Sequence, residues 1–511
     1  MNAKKLLSLF LAFALSLSVM FVFTACDDEG KDDSTKKGTD DPKAWYANLD
    51  FGGQTLNISQ SINTWTTDSS IDNAAKYTRG PSQAGNTDKV LNLCYDRNKE
   101  VAQLLNVKIK YTETNYRYNE INPYLDQLAM QSQAQFDLII NDVIAVVPAI
   151  LKGQLYNLKS TEETNYLDLS HSSWYQDYMN GLTLDENKIY AVAGDYFIDV
   201  LRSAHCLYLN TELFQTNLNQ NYASLDEFFD MVAAGQWTYD EFNTLINDGW
   251  VSSSGNATAS IDDDCIGFLA TTGAGFNPFT MSTDIQLIQK DASGNYSVNH
   301  DISQLSTYAE KLNRIYTNDG TVVENNQSVN FRDIFTQGRA LFLNTYWLGD
   351  LEFSSFQAME NKAPIIYPKW HEEQTNYRAY VHDSAEIGYI LTNTANFTPM
   401  SAYLQLINEK SVPILSEYYE YTLKFKKNTQ PGAVKMIEII HDSIASPFDQ
   451  FIGNQVSATL NNKAVQCNVG GIVRGSGTTY VNTSVSSTFN SCVNKFETGL
   501  ATLVANFKSQ R

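Results

Sequence analysis

Side chains able to make or break bonds are present in this chain but are not spaced for it. His371-Glu372-Glu373-Gln374 sets a carboxylate beside an imidazole, yet lacks the second His, one helical turn on, that completes the ligand pair of a zinc-protease helix. Gly475-Ser476-Gly477 lacks the Gly-x-Ser-x-Gly spacing of a nucleophile elbow, and the glycines from Gly470 to Gly477 enclose no Lys for a phosphate loop. Cys94, Cys206, Cys265, Cys467 and Cys492 form no CxxC pair and no metal-ligand spacing, so neither a metal nor a cofactor is expected. Among 57 acidic residues, counting does not exclude a glycoside-hydrolase carboxylate pair, although no motif supports one. More suggestive are polar residues beyond apolar runs: Asn63-Thr64-Trp65 after a strand-like stretch, and Asn141-Asp142 after Phe136 to Ile140. They offer amide, carboxylate and indole groups to a small polar solute, or they are turn formers.

The elements that must position these groups follow from periodicity. Gln54 to Ile58 alternates like a strand, and Val90, Leu93, Cys94, Arg97, Val101, Leu104 and Leu105 share one helical stripe. Val107 to Tyr111 returns to strand alternation, Tyr124 to Ser132 reads as helix, and Phe136 to Ile140 is a continuous apolar strand. This β-α-β-α-β order predicts an α/β fold with a parallel, helix-flanked sheet whose ligands sit beyond the carboxyl ends of the strands. A second block starts at Asn187: a turn, strands to Asp195 and over Leu207 to Asn210, and a helix from Thr211. Thr238 ahead of Asp240-Glu241 predicts a helix start, and residues 252–280, rich in Ser, Gly, Thr and Asp, read as loop.

Composition limits the partners. The 511 residues suggest about three domains by length, and 12% aromatic content rules out a disordered chain. A formal net charge of -21, without a dense Lys/Arg run, makes nucleic acid an unexpected partner. Lys4 and Lys5 precede an apolar run from Leu6 to Thr24, which reads as a signal peptide over residues 1–25. It ends in Phe23-Thr24-Ala25-Cys26, which resembles the lipobox of bacterial lipoproteins with Phe23 in place of the usual Leu. The resemblance implies a lipidated Cys26 and membrane anchoring, with residues 26–46 as a flexible tether.

The order of several segments resembles the family 1 extracellular solute-binding proteins of bacterial ABC importers, in their lipoprotein form. The segments are Asn98 to Ile109, Phe136 to Asp142, Gly153 to Leu158, Asn187 to Asp195, Tyr208 to Asn210, Phe335 to Phe342 and Pro364 to Trp370. The resemblance implies a two-lobed periplasmic-binding-protein-like (type II) fold that closes on its solute by hinge motion. Lobe 1 would be residues 47–197 plus 385–452, and lobe 2 residues 198–384 plus 453–511. Crossings are expected near Asp195 to Asp199, His382 to Glu386 and Phe451 to Thr459.

The implied activity is non-catalytic capture of a mono- or oligosaccharide by a monomer that delivers it to the membrane permease. A peptide or other polar solute is the alternative, and a surface glycoside hydrolase a more distant one. Sugars need flat aromatic faces for their C–H surface and acceptors for their hydroxyls. Trp347 matches the aromatic that follows the Gly-x-Ala-Leu-Phe segment in sugar-binding relatives. Trp65, Tyr196 and Trp370 are further platforms, and Asn141, Asp142, Asp195 and Asp383 are the polar partners expected.

Overall fold

The computed structural model describes residues 43–62, 74–85, 88–253, 255–263, 265–324, 329–344, 347–420, 432–459, 467–476 and 479–509. The expected signal peptide, Cys26, nearly all of the tether and Trp65 lie outside the described residues. The last tether positions, 43–46, form a turn rather than a free linker: Trp45 stacks on Tyr166 with ring centroids 6.0 Å apart and donates its indole N–H to Glu409 at 3.1 Å. An indole and a phenol have more to gain from packing than a polar linker has.

The first sheet begins with β1 (Gln54–Ser61) and β2 (Val107–Thr114), paired in parallel from Gln54 opposite Val107 to Ser61 opposite Thr114. Helix α1 (Lys89–Leu104) connects them. Asp88 caps it, accepting the Val90 and Leu91 N–H groups, and Val90, Leu91, Cys94, Arg97 and Val101 face inward along the predicted stripe. Helix α2 (Ile121–Ala129) leads to β3 (Leu138–Asp142), parallel to β1 and buried along its whole length because both faces are covered.

The sheet is completed by β4 (Ala191–Val192) and by a strand from far along the chain, β12 (Glu386–Tyr389), which lies antiparallel between β3 and β4. The expected all-parallel sheet is therefore mixed, because β12 enters after the chain has returned from the second sheet and runs the opposite way. Gly388 is required there: a Cβ would sit 2.6 Å from Phe197 Cζ and 3.1 Å from Val192 Cγ2.

The second sheet has the order β11-β5-β10-β6-β9: β5 (Leu207–Asn210), β6 (Ile266–Ala270), β9 (Thr321–Val323), β10 (Ala340–Leu343) and β11 (Lys362–Ile365). Here β6, β9 and β10 are parallel while β5 runs antiparallel to both β10 and β11. Strand β6 corrects the loop reading of residues 252–280: five buried residues, Ile266 to Ala270, are enough for a central strand but too few to outweigh the polar stretch before them. Between β6 and β9 lies a small hairpin of β7 (Ile288–Lys290) and β8 (Tyr296–Val298).

Helices pack on this second sheet as their caps predict. Ser224 starts α4 (Leu225–Ala233) and Thr238 starts α5 (Tyr239–Gly249), each accepting a backbone N–H from a Glu three residues on. Helix α6 (Ser303–Tyr316) packs on α5. On the first sheet, α7 (Phe397–Glu409) packs on α1. Helix α8 (Ala433–Asp442) lies on β11 and α4, so the Pro364-bearing edge strand is covered. Helices α9 (Phe448–Thr459) and α10 (Val485–Ser509) pack together, α10 also reaching β8.

The chain passes between the sheets at residues 193–206 and 366–385, and these passages join. Ala204 bridges Val381, the His205 N–H donates to Tyr380 O at 2.8 Å, and the His382 N–H donates to Ser203 O at 3.0 Å. A third segment lies alongside, with Ala379 bridging Ile444. Residues 451–459, expected as a crossing, form part of helix α9, and residues 443–445 also lie at the ribbon. None of the five described cysteines forms a disulfide, and Cys467 and Cys492 are not joined to each other.

Candidate functional site

Three of the nominated residues meet where the crossing ribbon joins the two sheets: Asp142, Trp347 and Asp383. Asp142 ends β3 and pairs in register with Glu386, the first residue of β12. Asp383 follows His382 at the end of the second crossing and lines a cavity of about 390 Å³. Its other walls are Asn277 and Met281 from the second sheet's side, Gln450 and Asn454 on α9, and Asn468, Gly470, Gly471, Arg474 and Gly475 from the segment before α10. Trp347 is partly exposed, and its ring stands edge-on to the His382 imidazole at 4.8 Å, one residue from Asp383.

The cavity is built for hydrogen bonding. Gln450 donates to the Tyr380 hydroxyl at 2.9 Å, and Arg474 donates to Asn277 Oδ1 at 2.5 Å while lying 5.2 Å from the Phe276 ring centroid. Amides, a carboxylate and a guanidinium on one small surface can replace the hydration of a polyhydroxylated solute. None of these groups is paired as a nucleophile with its base, and among the described residues no cluster of three or more His, Cys, Asp or Glu could hold a metal ion.

On the first-sheet side the site continues through Tyr118. Its backbone is in the left-handed region, φ 44°, which is uncommon for an aromatic residue. The turn brings the Tyr118 N–H toward the Asp142 carboxylate and its hydroxyl toward Ser384, next to Asp383. The ring remains 43% exposed, an aromatic face at the same edge as Trp347 and Asp383. The sequence reading missed Tyr118 because nothing in its neighbours announces a left-handed residue.

Behind this surface lies a buried charge network. Arg202, at the end of the short helix α3 (Ile198–Arg202) in the first crossing, is fully buried. It donates to Asp199 Oδ1 at 3.0 Å and, in a fork, to Glu352 Oε1 and Oε2 at 3.1 and 3.0 Å. Glu352 also accepts from Tyr418, and Asp199 from the Glu386 N–H. Glu386 in turn takes a hydrogen bond from Gln60 near the end of β1. The acidic groups outnumber this one guanidinium. Burial first, then the Asp199 carboxylate, holds Glu386 well above the usual carboxylate range.

Burial likewise pushes Asp142 up to about 7, helped by Asp199 and Asp383 and opposed by the Tyr118 N–H. A carboxyl whose folded pKa is raised contributes stability that is fully present below its unfolded pKa of about 3.9 and lost as pH rises through about 7. Asp142→Asn keeps an acceptor for the Tyr118 N–H and removes the buried charge. It is expected to stabilise the fold at pH 8 by about 2–4 kcal/mol and to have little effect near pH 4, read by urea unfolding at both pH values. Equal effects at the two pH values would refute the assignment.

The other nominated residues are placed elsewhere. Asn141 is fully buried in β3, its Oδ1 accepting its neighbour's N–H, and it faces the core. Tyr196 is fully buried, 3.3 Å from the Tyr111 hydroxyl and under the Arg97 guanidinium, and offers the cleft no face. Trp370 is buried in the second sheet's layer, donating to Asp284 at 2.8 Å with its ring against Tyr308. Asp195 sits 3.8 Å from His441 of α8, on a separate contact. Arg202, Glu352, His205 and Tyr380 gave no sequence signal, since their roles depend on partners distant along the chain.

No family model and no curated protein sequence matches the chain. Among solved structures it is similar to the galacto-N-biose-/lacto-N-biose I-binding protein of the ABC transporter from Bifidobacterium longum, determined with lacto-N-biose: 11% identity over 89% of this chain and 98% of that one, TM-score 0.50. Two others are the GacH receptor of Streptomyces glaucescens (14% identity, 90% and 100% covered, TM-score 0.47) and an extracellular solute-binding protein from Staphylococcus aureus in complex with maltose (11%, 89% and 97%, 0.48). With two α/β sheets joined by crossing segments, the chain has the two-lobed, periplasmic-binding-protein-like fold.

Proposed function

We propose that the protein is the extracytoplasmic solute-binding component of an ABC importer, capturing a saccharide between its lobes and passing it unaltered to the permease. The observation that carries this reading is the polar cavity at the crossing ribbon with Asp383 on its wall, the partly exposed Trp347 lying against the adjacent His382 and the exposed Tyr118 lying near Asp383. The rings would cover the apolar C–H face of a sugar, while Asp383, Gln450, Asn277 and Arg474 would exchange hydrogen bonds with its hydroxyls. The solutes named for the similar structures, lacto-N-biose, acarbose and maltose, belong to the same chemical class.

In this reading lobe 1 is residues 47–197 plus 385–452 and lobe 2 residues 198–384 plus 453–511, with α8 leaning across onto the second sheet. Residues 1–25 direct export, Cys26 carries the lipid, and the monomer works tethered to the membrane. No helix among the described residues is long and apolar enough to cross a membrane.

A thermal-shift panel of mono- and oligosaccharides, with dipeptides as a second arm, tests the solute class. At about 100 times its Kd a true ligand adds roughly 2.7 kcal/mol to the folded state, a shift of several degrees. A shift with dipeptides and with no saccharide would replace the sugar by a peptide.

A further inference from the structure

Trp347 is held from behind by the hinge itself. Its indole Nε1–H donates to His205 Nε2 at 2.8 Å, and His205 belongs to the first crossing, with its backbone N–H bonded to Tyr380 of the second. The His205 ring lies between two others, stacked on Tyr380 at 4.9 Å and on His382 at 5.7 Å, interplanar angles 28° and 29°. Trp347 closes the group edge-on, 6.0 Å from His205 and 4.8 Å from His382. Three rings on the crossing ribbon thus fix the orientation of one partly exposed indole.

We propose that His205 is the positioning residue of the Trp347 platform: its neutral imidazole accepts the indole N–H, ties the platform to the hinge, and makes solute affinity fall on acidification. The inference rests on the reading of Trp347 as a solute contact. Its chemistry is that of tautomers: a neutral imidazole has one acceptor nitrogen, here Nε2, whereas an imidazolium has none. Protonated His205 would present an N–H to an N–H and lose the bond. Trp347 would then no longer be held in its present orientation beside His382, the neighbour of Asp383.

The surroundings oppose that protonation at neutral pH. His205 is buried, with Nδ1 lacking a partner among the described residues, and its pKa is held well below the usual His value by burial and then by His382. His382 is itself lowered by burial, against the raising influence of Asp383 and Asp199. The titratable groups facing His205 are Tyr380 and His382, with Asp383 and Asp199 beyond them, and neither carboxylate is bonded to its ring. The neutral form is favoured in the folded state, so the arrangement is complete above the unfolded His pKa, about 6.5, and is lost as pH falls through the lower folded value.

Two variants and two readouts test this. His205→Gln sets an amide oxygen near the position of Nε2 and cannot titrate, while His205→Phe keeps the ring and removes the acceptor. For a saccharide bound by the wild type at pH 7.5, His205→Phe is expected to weaken binding by about tenfold or more and His205→Gln by no more than about threefold. As pH falls below the usual His range and through the lowered folded value, wild-type affinity should drop and that of His205→Gln should not. The second readout needs no solute: the indole N–H resonance of Trp347, assigned by its loss in Trp347→Phe, should move with pH in the wild type and stay fixed in His205→Gln. Wild-type affinity in folded His205→Phe, or a pH response of that resonance persisting in His205→Gln, would overturn the proposal. If no saccharide binds the wild type, the proposed function fails, while the resonance still decides the role of His205.

Discussion

Arg202→Met should lower the free energy of unfolding by about 3–5 kcal/mol, the largest stability loss expected from a single change near the site. The guanidinium is fully buried and is the cation bonded to both Asp199 and Glu352. Methionine fills similar space but leaves two desolvated carboxylates facing each other, and that uncompensated charge is the cost. Arg202→Lys should recover only part of the loss, because one ammonium cannot reproduce the fork to both Glu352 oxygens. Removing the partners along with the cation, as in Arg202→Met/Asp199→Asn/Glu352→Gln, should be milder than Arg202→Met alone. Urea unfolding at pH 7 measures all three. A loss below 1 kcal/mol in the single variant would mean the network is not what joins α3 to the segment after Trp347.

Trp347→Ala should weaken saccharide binding by at least tenfold, and by as much as a hundredfold if the indole covers a full sugar face, with the fold intact. Tenfold corresponds to 1.4 kcal/mol, well within what a stacked aromatic face contributes to a small ligand. Stability should change little because the ring is partly exposed. Calorimetric titration of the folded variant with the best saccharide from the panel measures the effect. Unchanged affinity would remove Trp347 from the site and leave Tyr118 as the aromatic face beside Asp383. Conversely, Tyr196→Phe and Trp370→Phe should leave affinity unchanged, since both rings lie in the core.

How much of this was legible in the sequence depended on the range of the interaction. The stripe from Val90 to Val101 and the apolar run ending at Asp142 are local patterns, and both elements stand where periodicity puts them. Strand β12 was not legible as an antiparallel insertion: its pairing with β3 joins residues more than 200 positions apart, and no local pattern encodes direction. Strand β6 was hidden because five buried residues follow a long polar stretch.

The site divides in the same way. Asp142 could be nominated from the end of its strand, a rule of α/β topology. Trp347 and Asp383 were reached only through the family resemblance. Tyr196 and Trp370 were nominated as aromatic platforms, but a core ring and a solute-facing ring look alike in sequence: Tyr196 is taken up by Tyr111 and Arg97, Trp370 by Asp284 and Tyr308. The residues that shape the site most, Arg202, Glu352, His205 and Tyr118, owe their importance to partners brought near by the crossings or to a single backbone angle. Neither leaves a trace in composition or spacing.

The decisive measurement is prolonged incubation of the purified protein with a labelled oligosaccharide chosen from the panel, followed by separation of bound from free label and chromatography of the recovered sugar. Saturable binding of one molecule per chain, with every recovered label still on full-length sugar after a day, is the result expected of a carrier. Label on shortened sugars would make the cavity an active site, and label that never saturates the protein would leave it with no saccharide to carry.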